Sequence, residues 1–224
     1  MRAFLRNNSL SIVFMLLFLA ALCGQAIAGH AEFNDNADSE GDPRMSLARY
    51  VVSSAFGSAV MENWQSEYLQ FTLLILLTVW LLQRGSPESK ELDKPGRESD
   101  EDQKVGEHAT RHSPKWAKVA GLRRTLYENS LVLVMGLFWL GTWLAQSITG
   151  VAQYNADQLD HHQDPVSWSA YLQTGEFWDN TLQNWQSEFL AVGSMAILAV
   201  YLRQRGSPES KPVGAPHTST GVEG

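Results

Sequence analysis

Residues 8–90 recur at 129–211 without a gap, and 31 of the 83 paired positions are identical. The densest matches pair Asn63-Trp64-Gln65-Ser66-Glu67 with Asn184-Trp185-Gln186-Ser187-Glu188, and the tract from Gln83 to Lys90 with that from Gln204 to Lys211. Gln25/Gln146, Gly29/Gly150, Asn34/Asn155, Tyr50/Tyr171 and Phe56/Phe177 spread the identity between them. Self-similarity over so long a period marks tandem units. The chain therefore reads as one unit of about 80 to 90 residues written twice, so any fold proposed for one stretch must also suit the other.

The distribution of apolar residues says what kind of unit it is. The chain is 44% apolar overall, but segments 9–28, 68–82, 131–149 and 189–202 hold almost no charge, and polar tracts separate them. At 1.5 Å per residue the first and third can cross about 30 Å of hydrocarbon. The second and fourth reach only roughly 21 to 23 Å as helices and must borrow length from their flanks. Gly85-Ser86-Pro87 and Gly206-Ser207-Pro208 stop a helix on one side, so Trp64 to Glu67 and Trp185 to Glu188 are expected to extend it on the other. That brings Glu67 and Glu188 to the edge of the hydrocarbon in equivalent places.

The first apolar run, with Arg2 and Arg6 before it and Ala26-Ile27-Ala28 at its end, also has the form of a cleavable signal peptide. Its counterpart lies in mid-chain, so a retained membrane helix is the reading consistent for both. Of the 17 Lys and Arg residues, 15 fall in the N-terminal tip, in 84–124 or at 203–211. The two remaining loops are acidic. Basic loops stay on the cytoplasmic side, which predicts both termini and the middle segment inside and the acidic loops outside. Cys23 is the single cysteine and excludes an intramolecular disulfide. Lys115-Trp116-Ala117-Lys118 and Arg123-Arg124 suit anionic lipid better than nucleic acid.

The expected architecture is all-α: a polytopic membrane protein with four transmembrane helices in two tandem hairpins. Residues 1–90 form the first hairpin, with spans at about 9–28 and 64–83. Residues 91–123 form a flexible charged cytoplasmic linker. Residues 124–211 form the second hairpin, with spans at about 130–149 and 185–204, and 212–224 form a disordered tail. Residues 30–43 read as a loose outer loop. Trp168, Tyr171, Leu172, Trp178, Leu182, Trp185 and Phe189 recur at steps of three and four, which predicts an outer amphipathic helix ahead of the second span of each hairpin.

With these motifs in hand, the chain resembles a family of bacterial integral membrane proteins classed as a domain of unknown function. The resemblance rests on the Asn-Trp-Gln-Ser-Glu and Gln-Arg-Gly-Ser-Pro-Glu-Ser-Lys pairs and on Gly175-Glu176-Phe177-Trp178. It implies a membrane location and brings no activity with it. The first stretch departs from it, with Ser54-Ala55-Phe56-Gly57 in place of the last motif.

Two sets of residues stand out. Glu67 and Glu188, each with an Asn four residues earlier (Asn63, Asn184) and a neighbouring Gln (Gln65, Gln186), could bind a cation or relay protons. Alternatively the Asn residues cap a helix start and the carboxylates sit in headgroups near its positive end. Arg84, Ser86, Glu88 and Lys90, repeated as Arg205, Ser207, Glu209 and Lys211, form a cytoplasmic docking motif or the capped start of a short helix. His161-His162 with nearby Asp157, Asp160 and Asp164 reads as a solvated loop rather than a metal site.

No catalytic residue, metal site or cofactor is expected, and the chain is not read as an enzyme. The leading reading is a non-enzymatic interaction or structural protein of the bacterial inner membrane, touching lipids and either a second copy or an envelope partner. The alternative is a small transporter or channel for cations or protons built on the duplicated Asn/Gln/Glu clusters.

Overall fold

The computed structural model describes residues 1–222, which form an all-α chain without strands. The helices are α1 (Arg2–Asn7), α2 (Ser9–Glu40), α3 (Leu47–Tyr50), α4 (Ser54–Leu77), α5 (Leu122–Glu128), α6 (Ser130–Asp160), α7 (Trp168–Tyr171) and α8 (Gly175–Tyr201). The starts of α6, α7 and α8 fall 121 residues after those of α2, α3 and α4. Two helices, α2 and α6, are long and apolar enough to cross a membrane. None of the most apolar window of α2 is buried and only 11% of that of α6, so neither is the covered core helix of a soluble fold.

Several boundaries differ from the sequence expectation. Residues 30–40 are helical, not a loose loop, and α2 ends only at Gly41, whose φ of 83° provides the left-handed cap and whose N–H donates to the Ala37 carbonyl. The outer amphipathic helix is not a separate element. Tyr171 ends the one-turn α7, and Thr174 then starts α8 afresh, its hydroxyl accepting from the Phe177 N–H. From there α8 runs 27 residues without a break into the last apolar run. At the other end α4 stops at Leu77, short of residue 83. Trp80 and Leu81 both turn their N–H groups back to the Leu77 carbonyl, while Gly96 donates to Val79. α8 stops at Tyr201, short of residue 204, where the Arg203 guanidinium covers the Ala199 and Val200 carbonyls.

The chain divides into two compact units. The first joins 1–61 to 145–172. In it Asn34 and Asn155 act alike, since each side-chain amide brackets one backbone residue as a strand partner would. Asn34 accepts from the Met45 N–H at 2.7 Å and donates to its carbonyl at 3.0 Å, and Asn155 does the same to Val166 at 2.8 and 2.9 Å. Tyr50 and Tyr171, both buried, lie over Gly29 and Gly150, where any Cβ would collide with the phenol hydroxyl. Glycine is required at both positions because backbone and ring approach so closely. Each tyrosine also packs on an aromatic neighbour of the preceding helix, Phe33 for Tyr50 and Tyr154 for Tyr171.

The second unit comprises 62–144 and the residues from 173 onward. Its centre is made by α4, α6 and α8. Tyr68 stacks on Phe138 at 5.1 Å between ring centroids, and Trp143 gathers Phe177, Trp178 and Trp185 around it. Leu69, Gln65, Ser66 and Thr181 are buried there. Residues 91–121 add only two short 3-10 turns, Gly106–His108 and Lys115–Lys118. The Arg124–Asp100 ion pair at 3.1 Å and an Arg97–Asn129 hydrogen bond at 2.9 Å tie this segment to its surroundings. Residues 212–222, expected as a free tail, fold back instead. Gly221 donates to the Ser86 carbonyl and the Thr220 hydroxyl accepts from the Gly85 N–H.

Candidate functional site

The two Asn-Trp-Gln-Ser-Glu motifs lie well inside α4 and α8, and the second unit brings them together. Gln65 is fully buried, and its Oε1 accepts from the Trp185 indole N–H at 2.7 Å. Ser66 is 2% exposed and its hydroxyl lies within hydrogen-bonding reach of Glu188, which also feels the charge of Glu67. Asn180 reaches across to Glu62 at 3.4 Å. The acids of α4 thus face α8 at two successive levels, Glu62 at Asn180 and Glu67 toward Glu188. Gln186 and Ser187, the counterparts of Gln65 and Ser66, are exposed.

This placement removes the capping alternative. Asn63 and Asn184 are two and a half turns past the starts of α4 and α8, too far in to cap a helix, and the helix-end field has faded by that depth. Asn184 instead donates to the Asn180 carbonyl of its own helix at 2.8 Å. The hydroxyls of Ser66 and Ser187 bond the carbonyls of Asn63 and Asn184 at 2.9 and 2.8 Å, a habit of serines inside helices.

The Gln-Arg-Gly-Ser-Pro-Glu-Ser-Lys tracts form no short helix. Each folds into the same closed turn. Gly85 and Gly206 take φ of 85° and 82°, a left-handed bend open to glycine. The Ser89 and Ser210 hydroxyls accept from the N–H of Gln83 and Gln204, both at 2.9 Å. The lysine then locks the turn from outside. Lys90 donates to the Gly96 carbonyl at 2.7 Å and pairs with Glu98. Lys211, 1% exposed, donates to the carbonyls of Pro216, His217 and Ser219 at 3.4, 2.9 and 3.2 Å. Loss of water, followed by the nearby Arg203 charge, pulls the Lys211 pKa below its ordinary value. Arg84 and Arg205 remain exposed.

The turns also bring two acids together. Burial, then a hydrogen bond to Glu209 and the charge of that carboxylate, raise the Glu88 pKa above the usual range. Glu88 stands at one end of a cavity of about 530 Å³ between α4 and α8. Gln70 stands one turn below Glu67 on the α4 wall, Leu73, Leu74, Phe189 and Val192 form the sides, and Gln83, Ser86 and Ser89 join Glu88 at the end.

The family match covers residues 1–222. The chain belongs to DUF6766, a domain of unknown function. No curated protein and no solved structure matches it. In this DUF6766 chain the sequence pointed to Glu67, Glu188 and Glu88 but not to Glu62, Gln70 or the cavity. Glu62 has Gln183 as its counterpart, so retention between the stretches could not mark it. His161 and His162 bond the backbone carbonyls of Asp157 and Asp160, at 2.7 and 3.3 Å.

Proposed function

We propose that the chain is a multi-pass membrane protein of the bacterial cell membrane, two tandem hairpins with both termini inside, that passes protons or cations along the seam between α4 and α8. The observation carrying this reading is the cavity between α4 and α8, lined by Gln70 and Phe189, which follow closely on Glu67 and Glu188 in their helices, and by Glu88 at its other end. Five other identities between the stretches are explained by structure. Gly29/Gly150, Tyr50/Tyr171, Asn34/Asn155, Ser89/Ser210 and Lys90/Lys211 all close turns or seat rings. Glu67/Glu188 and Glu88/Glu209 close nothing. An acid held at membrane depth without a structural role is a functional candidate.

The test is flux in proteoliposomes with a pH-sensitive dye inside. The intact protein should pass protons or a monovalent cation, and the Glu67→Gln, Glu188→Gln variant should lose that flux by at least about tenfold. Flux no higher than in empty liposomes would end this reading.

A second reading keeps the protein as a structural or interaction component of the envelope. It is favoured by the bare apolar face of α2, which lipid or another copy would have to cover. Crosslinking of the protein into a fixed complex, with no flux, would select it.

A further inference from the structure

The conduit reading leaves the cargo open between protons and cations of any kind, and the cavity narrows it. A bare inorganic cation needs about six oxygen ligands, whereas most of this cavity's surface is apolar. Its sides are the apolar groups of Leu73, Leu74, Leu77, Phe189 and Val192. Its polar groups are Gln70 on the α4 wall, Thr78 just past the end of α4, and Gln83, Ser86, Ser89 and Glu88 at the cavity end. Transfer of a strongly hydrated ion into such walls is costly. A cation that carries its charge on an apolar body meets the opposite balance, since its burial is favourable.

The charge at the cavity end has the matching sign. Among the described residues no basic side chain forms an ion pair with Glu88, and its acidic neighbour is Glu209. Of the nearby basic groups Lys90 is committed to Glu98 and Gly96, Lys211 to three carbonyls and Arg203 to the end of α8, while Arg84 and Arg205 are exposed to solvent. The volume of about 530 Å³ falls within the range of small-molecule pockets.

We infer that the cavity between α4 and α8 is a binding site for a hydrophobic organic cation, whose apolar body lies against Leu74 and Phe189 and whose charge is met by Glu88. This rests on the conduit reading for its role as cargo, while the site itself is tested by binding alone.

Tetraphenylphosphonium and tetraphenylborate, nearly identical in shape and opposite in charge, are the probes, with the full chain in lipid nanodiscs and binding read by equilibrium dialysis. Tetraphenylphosphonium should bind saturably and in preference to the borate. Glu88→Gln should weaken it by about tenfold, with Glu88→Asp retaining most of it. Gly193→Leu should abolish it, because Gly193 lines the cavity and a Cβ there meets open space, so that the larger side chain takes up cavity volume. The inference is overturned by absence of saturable binding, by equal affinity for the borate, or by unchanged affinity in Glu88→Gln. Saturable binding in a protein that shows no flux would remove the conduit and leave the site. Proton flux without phosphonium binding would remove the site and leave the conduit.

Discussion

The α2–α3 and α6–α7 connections share the asparagine bracket and the tyrosine seat that close them, whereas the two Asn-Trp-Gln-Ser-Glu motifs share a sequence and little else. In the connections, Asn34 and Asn155 hold Met45 and Val166 through the same pair of hydrogen bonds, and Tyr50 and Tyr171 lie over the same glycine. In the motifs, Gln65 is fully buried on the Trp185 indole while Gln186 is exposed. A connection is closed by residues close in sequence, so an identical sequence closes it identically. A helix face meets whatever the neighbouring helix presents, and the two stretches have diverged there. α4 continues from its motif with Gln70, Phe71 and Thr72, and α8 with Ala191, Val192 and Gly193. The lesson is that symmetry in the sequence predicts symmetry of local closure and not of interhelical packing.

If that contrast holds, damage to the connections should be large in both stretches. Gly29→Val and Gly150→Val each drive a branched side chain into a seated tyrosine, and each should cost about 1 to 3 kcal/mol or more in denaturant unfolding of detergent-solubilised protein. Asn155→Ala strands the Val166 N–H and carbonyl, with an expected loss of roughly 1 to 3 kcal/mol. Asn34→Ala strands the Met45 N–H, while the Met45 carbonyl keeps His30 Nε2 at 2.7 Å, so its loss should lie toward the lower end of that range. A loss in one stretch only, with the other unaffected, would break the equivalence. The motif pair should behave in the opposite way. Gln65→Ala removes the partner of a part-buried indole and should cost about 1 to 2 kcal/mol, whereas Gln186→Ala should stay within about 0.5 kcal/mol. Equal costs at these two positions would mean that the motifs are packed alike after all.

The same distinction explains what could be read in advance. The starts of α2 and α6 were legible, falling where the first and third apolar runs begin, because such runs report on local structure, whereas α4 and α8 begin ten residues ahead of the expected spans. The helicity of residues 30–40 was not legible either. Their composition is polar, and what holds them is Asn34 reaching Met45 and Tyr50 seating on Gly29, contacts that no periodicity displays. The lysines of the Gln-Arg-Gly-Ser-Pro-Glu-Ser-Lys tracts were visible as retained residues but not as locks, because their acceptors at Gly96 and at Pro216 to Ser219 lie beyond the repeated segment. Glu67 and Glu188 were visible singly. Their convergence, and the cavity below them, depend on how α4 and α8 pair, and that is the level at which the stretches ceased to be copies.

The smallest effect expected is also the one that probes how the two glycine turns interact. The Glu88 carboxyl has its pKa raised above the ordinary 4.5, so the folded protein holds that proton more tightly than the unfolded chain does. The sign follows from linkage. The contribution of this group is complete below the ordinary carboxylate range and is lost as pH climbs through the raised value, where Glu88 ionises beside Glu209. Because the group is exposed enough for solvent to screen much of that repulsion, the loss should be modest. Melting temperatures in nanodiscs from about pH 4 to about pH 8 should therefore fall more for the wild type than for Glu88→Gln, which keeps a hydrogen-bonding group at the position and removes the titration. Glu209→Gln should flatten the profile only in part, since it removes the repulsion but leaves Glu88 titrating in its partly buried place. Parallel profiles for all three proteins would mean that the turns, though alike in themselves, do not sense one another, and the two equivalent loops would then have to be treated as independent.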